Sequence, residues 1–216
     1  MATIAIFGGT GYAGGAIRDE ALRRGHTVIS ISRKEAEAAG TPGLIARAGN
    51  LHDPALADHM AAEADVLVVA IRSAAQDGVR LADAVPMLAR ACAEHSTRLG
   101  VVGGAGSLHV TEGGPRVVDL PTFPAEHKGE ALGQADVLAA LRETAAGTDW
   151  FYVSPGASFG AYNPGEATGH YRAVAGDVLL TDADGNSNIS GADYATAFVD
   201  EIEHPAHRRE RFTVAY

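Results

Sequence analysis

The chain has 216 residues, with 17 Lys and Arg against 27 Asp and Glu and a formal net charge of −10 at pH 7. That length suits one large domain burying roughly 70% of the unfolded chain's surface without a disulfide or metal staple, and the single cysteine, Cys92, has no partner within the chain. The acid excess, with no Lys/Arg stripe to overrule it, argues against nucleic acid as a partner. No apolar run approaches the ~18 residues of a membrane span and the first seven residues are too short for a signal segment, so a cytoplasmic protein with no membrane partner is expected.

In chain order, short β-branched runs alternate with longer stretches suited to helices. Strands are predicted at 3–7, 27–31, 44–46, 66–71, 99–102 and 150–153, and helices at 11–24, 53–62, 79–94 and 124–144. Near-continuous apolar runs such as Val66-Leu-Val-Val-Ala-Ile71 belong in a parallel sheet covered on both faces. Right-handed crossovers then give an α/β, doubly wound, mostly parallel sheet. After Val153 the pattern changes to a Gly- and Pro-rich segment, 154–165, followed by strands predicted at 178–181 and 211–214. Between them Ser190 is placed to cap a helix over 191–202, with Asp193 in its first turn.

The segment Ile6-Phe-Gly-Gly-Thr-Gly-Tyr-Ala-Gly14 lies between the first strand and the first helix. It reads as Gly9-x-Gly11-x-x-Gly14 or as Gly8-x-x-Gly11-x-x-Gly14. In either register it supplies a tight turn, close backbone approach to a pyrophosphate and a helix N-terminus aimed at anionic oxygens. With a strand before it and a helix after it, the motif predicts dinucleotide binding by Gly8, Gly9, Thr10, Gly11, Tyr12, Ala13 and Gly14. The second strand ends Ile31-Ser-Arg-Lys34, with no carboxylate for a ribose 2′-hydroxyl until Glu35. Arg33 has the fork geometry for a 2′-phosphate, which favours NADP and leaves NAD as the alternative. Later strand ends add Asn50 and Leu51 near the adenine, Ala70, Ile71 and Arg72 near the ribose and pyrophosphate, and Gly103 and Gly104 near the nicotinamide. The expected organisation is one Rossmann-like domain, 1–216, with a dinucleotide-binding core at 1–153 and a small C-terminal, substrate-covering extension at 154–216.

Those residues, with Arg24-Gly-His-Thr-Val28, Val101-Val-Gly-Gly-Ala-Gly-Ser-Leu108, Tyr152-Val-Ser-Pro155, Pro164-Gly-Glu-Ala-Thr-Gly-His-Tyr171, Asp184-Gly-Asn-Ser187 and Arg211-Phe-Thr-Val214, give the chain its likeness to known proteins. Over nearly its whole length it resembles the atypical short-chain dehydrogenase/reductase superfamily. More narrowly, it is similar to the NADH-flavin reductase group related to biliverdin reductase B and to NmrA-like proteins. The resemblance implies a Rossmann-like fold, a nicotinamide cofactor and a flavin as hydride acceptor. Typical short-chain dehydrogenases relay a proton through a Tyr-x-x-x-Lys pair. Here the corresponding stretch is Thr122-Phe-Pro-Ala-Glu-His-Lys128, and no tyrosine stands four residues before a lysine.

A flavin, quinone or enone acceptor needs mainly a stacked approach to the nicotinamide, with the proton supplied by solvent. Around it the candidates are Ser107, Lys128 and Ser154 as catalytic groups, His127 as a second charge stabiliser, and Phe159, Tyr162 and Tyr171 as substrate contacts. The alternative implied by the NmrA-like relatives is a redox sensor that binds NADP without consuming it and acts through a protein partner. Two other signals are set aside. Asp182-x-Asp184-x-Asn186-x-Asn188 lacks the glycine position and terminal glutamate of a calcium loop, and the nine histidines have no zinc spacing. No metal is expected. The alanine-rich helices leave a homodimer open.

Overall fold

The computed structural model describes residues 1–34, 40–75 and 78–216; Glu35 lies outside them. Its elements, in chain order, are β1 (Thr3–Phe7), α1 (Tyr12–Arg23), β2 (Thr27–Ser32), β3 (Leu44–Ala48), α2 (Pro54–Glu63), β4 (Val66–Val69), α3 (Leu81–His95), β5 (Arg98–Val102), α4 (Ala125–Arg142), β6 (Trp150–Pro155), β7 (Arg172–Ala175), α5 (Gly191–Glu203) and β8 (Glu210–Ala215), with a 3₁₀ turn at Val117–Asp119 between β5 and α4. The strands form one sheet in the order β3-β2-β1-β4-β5-β6-β8-β7. All neighbours are parallel except β7, which runs antiparallel to β8. This is the doubly wound, Rossmann-like order, reversing between β1 and β4.

Two apolar layers cover the sheet. On one face Ala5, Phe7, Leu67, Val69, Val101 and Tyr152 pack under α2, α3 and α4. On the other, Ile4, Ile6, Val68, Phe151, Val153 and Phe212 pack under α1 and α5. All four residues of β4 are buried, as a central parallel strand requires. Asp53 caps α2, accepting from Ala55 N at 3.0 Å, with Pro54 in the first turn. Ser190 Oγ caps α5 by accepting from Asp193 N at 3.0 Å.

Several element ends differ from those expected by one or two residues, and three departures have a visible cause. β4 stops at Val69 instead of Ile71, because its neighbour β1 ends opposite it at Phe7 and turns away into the glycine segment. β3 runs on to Ala48, where it is an edge strand and Arg47 reaches outward to pair with Glu63 at 2.6 Å. The strand expected at 178–181 is not part of the sheet. That segment is tied to the loop after β5 instead, through His109 N to Asp177 O and Leu179 N to His109 O, each 2.8 Å. The strand is Arg172–Ala175, whose four residues are all exposed at the sheet's edge and so carry no burial pattern to read.

The chain after Val153 therefore does more than cover one side. It completes the sheet with β8 and the second helical layer with α5, whose Tyr194 and Phe198 are fully buried. The loop between β6 and β7 reaches the start of α1 and the start of α4, through Tyr12 OH to Pro164 O and the Tyr162–His127 ring contact.

Candidate functional site

Residues 8–11 make the whole turn from β1 to α1. Gly8 has φ +88°, and a Cβ there would lie 2.4 Å from Ala70 O at the end of β4. A Cβ on Gly9 would lie 2.4 Å from Ser30 Oγ on β2, and one on Gly14 would lie 2.2 Å from Gly8 O. These three glycines draw the first turn of α1 onto the ends of three strands. Gly11 is less constrained, since its Cβ would meet Gly8 O at 3.3 Å, a tight but not impossible contact, and Ala70 O at 4.0 Å. It is exposed, it caps α1 without a side chain, and α1 has no acid in its first turn. The backbone N–H groups at that end are thus presented with a partial positive charge and no side-chain acceptor.

In front of the turn lies a cleft of about 930 Å³, lined by Phe7, Gly8, Thr10, Gly11, Ile31, Ser32, Arg33, Lys34, Gly49, Asn50, Leu51, Ala70, Ile71, Arg72, Ala74 and Ala75. It sits at the point where the strand order reverses, the expected ligand position in an open α/β sheet. Sequence reasoning named nine of these residues (Gly8, Thr10, Gly11, Arg33, Asn50, Leu51, Ala70, Ile71 and Arg72), which the fold brings to one edge. Gly9 and Gly14 are buried behind the turn, while Tyr12 and Ala13 begin the helix. Arg33 and Lys34 are exposed at one end of the cleft, and neither has an ion pair among the described residues. An uncapped helix start, an open turn and two unmatched cations in a cleft of this size fit a dinucleotide with a phosphorylated ribose.

Other groups shape this cleft without being legible in the motif. Arg18 Nη1 donates to Gly9 O at 3.1 Å; it stands one helical turn after Gly14, and that i, i+4 spacing was the signal available. Glu130 of α4 accepts from Ser73 N at 2.8 Å, and Ser73 Oγ donates to Glu130 O at 3.0 Å. A Cβ on Gly133 would come within 2.3 Å of Ser73 Oγ. The loop after β4 is thereby pinned to α4, and no local pattern announces a contact spanning 57 residues.

The residues expected around an acceptor fall into two groups. Gly103 and Gly104 follow β5 against Tyr152: a Cβ on Gly103 would lie 2.1 Å from the ring, and Gly104 N donates to the Tyr152 hydroxyl at 3.1 Å. Burial pushes that hydroxyl up to about 12. Ser154 is fully buried and donates to Gly104 O at 3.0 Å. Ser107 Oγ accepts from Arg211 Nη1 at 2.7 Å, and Arg211 pairs with Asp177 at 2.6 Å. Tyr171 donates its hydroxyl to Asp200 on α5, and burial first, then that carboxylate, raises its pKa. The hydroxyls of Ser107, Ser154 and Tyr171 are all committed inside the protein.

Lys128, His127, Tyr162 and Phe159 form the other group. Lys128 is exposed in the first turn of α4. The His127 and Tyr162 rings are stacked, with centroids 5.8 Å apart and planes 19° apart. Phe159 meets Tyr12 edge-on at 5.3 Å and Tyr194 at 4.6 Å, so it joins the loop after β6 to the start of α1.

That loop is clamped by Asp193. Its carboxylate accepts from Thr168 N at 2.7 Å, Gly169 N at 3.0 Å, Thr168 Oγ1 at 3.0 Å and Tyr216 OH at 2.6 Å. Burial pushes its pKa upward, but these bonds outweigh burial and hold it below the usual carboxylate value. The acidic run after β7 has a similar local explanation. Asp182 accepts from the backbone N–H of Asp184 and Asn186 and from Asn186 Nδ2, closing its own turn. Cys92 is buried, and burial raises its thiol to about 12, as suits an inert packing residue. No described helix is long and apolar enough to cross a membrane.

The chain matches the NAD(P)H-binding family over residues 8–205. It is 36% identical over 213 residues to the uncharacterized protein YwnB of Bacillus subtilis, covering 98% of this chain and 97% of that one. Among solved structures it is similar to one from Streptococcus pneumoniae named a "putative NADH-flavin reductase", at 34% identity, TM-score 0.79 and coverage of 100% and 99%. A structure from Burkholderia pseudomallei named a "putative exported protein" is 37% identical, with TM-score 0.79 and full coverage of both chains.

Proposed function

Because the chain belongs to the NAD(P)H-binding family, we propose that it is a reductase that uses NADPH to reduce a flavin or a similar conjugated small molecule. The observation that carries this reading is the cleft itself, where an open glycine turn and an uncapped helix start lie beside two unmatched cations. The name carried by the Streptococcus pneumoniae relative at 34% identity supports the acceptor class. When bound, a reduced nicotinamide would supply a hydride, two electrons and one proton, for an oxidised acceptor that also needs one proton from solvent.

The protein's own part is binding and alignment. Thr10, Gly11 and the first N–H groups of α1 hold the pyrophosphate, with Gly8, Gly9 and Gly14 giving the backbone its close approach and Tyr12 and Ala13 starting the helix. Arg33 takes the 2′-phosphate, with Lys34 beside it. Asn50 and Leu51 border the adenine end, and Ala70, Ile71 and Arg72 the middle. Gly103 and Gly104 would border the nicotinamide, with Tyr152 packed behind Gly103. With no tyrosine–lysine relay and with Ser107 and Ser154 hydrogen-bonded internally, the arrangement suits an acceptor whose delocalised ring needs no enzyme acid.

The test is NADPH consumption followed by absorbance, with and without FMN, against an enzyme-free control and a parallel NADH series. Enzyme-dependent oxidation that requires FMN and prefers NADPH is expected. Tight cofactor binding with no oxidation by FMN or a small quinone would contradict the reductase reading and point to a sensor.

A further inference from the structure

Only two of the chain's 17 cations are lysines, Lys34 and Lys128. Most of the arginines are matched to carboxylates, as Arg24 is to Glu20, Asp200 and Glu203, and Arg98 to Glu201. Both lysines are exposed and neither has an ion pair among the described residues. Lys34 lines the cleft at the end of β2. The opposite end, at Arg72, Ala74 and Ala75, abuts α4, where Glu130 holds the Ser73 N–H at 2.8 Å. Lys128 is two residues before Glu130 on that helix, beyond the residues that line the cleft itself.

Beside Lys128 is the His127–Tyr162 stack. Tyr162 leaves 67% of its surface exposed, so its ring is not held there by burial. The backbone places it: Asn163 N donates to Gly160 O at 2.9 Å, Asn163 Nδ2 donates to Ser158 O at 3.0 Å, and Pro164 O accepts from Tyr12 OH at 3.3 Å. The loop thus reaches from the start of α1 to the start of α4, across the strand ends that follow the glycine turn. A flat ring and a lysine carried by consecutive residues at the start of α4 supply the two elements that recognise a planar ring with an anionic tail.

We infer that Tyr162, His127 and Lys128 form the acceptor's reading site: the aromatic pair receives the planar ring, and Lys128 selects acceptors that carry a phosphate or carboxylate tail. The inference rests on the reductase reading for its substrate and deepens it, since it distinguishes FMN from riboflavin, which have the same ring and the same redox chemistry. Charged groups facing this site include Arg72 at the end of the groove and the carboxylates of Glu126, Glu130 and Asp119. Glu130 is engaged by Ser73 and by Arg72, the latter at 3.9 Å, and Asp119 by Arg116 at 2.7 Å. Lys128 is therefore the unmatched cation available to a tail.

The test is titration of the NADP⁺-loaded protein with FMN and with riboflavin, followed by quenching of flavin fluorescence, alongside NADPH turnover with both flavins. Tighter binding of FMN by about tenfold is expected, the scale of one charge-assisted hydrogen bond. Lys128→Gln should close the gap between the two flavins, and Lys128→Arg should restore part of it. Tyr162→Ala should weaken both flavins and leave their ratio intact. Equal binding of FMN and riboflavin by the unaltered protein, or a ratio untouched by Lys128→Gln, would overturn the inference. Flavin bound with the tail preference but never reduced would instead contradict the reductase reading and leave this site standing. Reduction of both flavins with equal affinity would do the reverse.

Discussion

Two stretches of the sheet's C-terminal edge are built differently, the one that holds the cleft and the one beside it at β5 and β6. At the end formed by β1, β2 and β4, the groups that face outward are left without internal partners: the first N–H groups of α1 meet no side chain, and Arg33 and Lys34 make no ion pair among the described residues. At the end formed by β5, β6 and the loop after it, most polar groups are already satisfied by the protein. Ser154 is bonded to Gly104, Ser107 to Arg211 and Tyr171 to Asp200. The first end leaves those groups for the proposed cofactor to complete. The second is shaped to hold a loop in place, leaving mainly rings and one lysine for whatever arrives there.

The sharpest way to break this comparison is to fill the glycine turn. Gly14→Ala puts a methyl group 2.2 Å from a backbone oxygen, and it should cost about 1–3 kcal/mol of stability and abolish cofactor binding. Gly11→Ala meets its nearest atom at 3.3 Å, so it should change stability by about 0.5 kcal/mol or less while still weakening the cofactor. Urea unfolding paired with NADPH titration separates the two. If both variants lose stability equally, Gly11 is a structural glycine and the turn is not left open for a ligand.

Next in size is Arg33→Ala, which should weaken NADPH about tenfold to a hundredfold, the scale of a charge-assisted hydrogen bond, and leave NADH nearly unchanged. Paired titrations with the two cofactors read it directly, and equal losses would remove Arg33 from the 2′-phosphate.

Asp193→Asn probes the other end. Removing a buried carboxylate that accepts four hydrogen bonds should cost about 1.5–3 kcal/mol and expose the loop over 164–171 to proteases. Its folded pKa lies below the ordinary value, so its contribution is fully present above about pH 3.9 and is lost as pH falls through the lower folded value. The difference in melting temperature between the variant and the parent should therefore vanish in strong acid. A difference that persists there would mean that the charge is not what holds the loop.

Ser154→Ala should have the smallest effect: about 1 kcal/mol of stability for a lost buried hydrogen bond, with turnover close to that of the parent. A large fall in turnover at unchanged stability would return Ser154 to the chemistry.

The same contrast explains what the sequence could and could not reveal. The proposed cofactor end is encoded in backbone requirements. Gly8, Gly9 and Gly14 are where they are because a Cβ would strike the strands or the turn, and such constraints show as glycines at fixed spacing. The acceptor end is encoded in side chains, and a serine or tyrosine looks alike in sequence whether it serves a substrate or another residue. Ser107 and Tyr171 stand in suggestive places, yet their partners, Arg211 and Asp200, lie 104 and 29 residues away. Distant contacts of this kind also hid Glu130 and its hold on Ser73. The edge strand Arg172–Ala175 was missed for a related reason, since an exposed strand carries none of the apolar alternation that marks a half-buried one. The buried strands and the capped helices, whose periodicity is their own burial, were legible nearly to the residue.

The most direct measurement is hydride transfer itself. NADPH carrying deuterium at one or the other prochiral position of C4 would be oxidised by the protein with FMN under anaerobic conditions, and the label remaining in NADP⁺ read by mass spectrometry. The account predicts that one labelled form loses its deuterium and the other keeps it, because the acceptor stacks on a single face of a nicotinamide held in the cleft. Loss from both positions, or no oxidation beyond the enzyme-free rate, would contradict it.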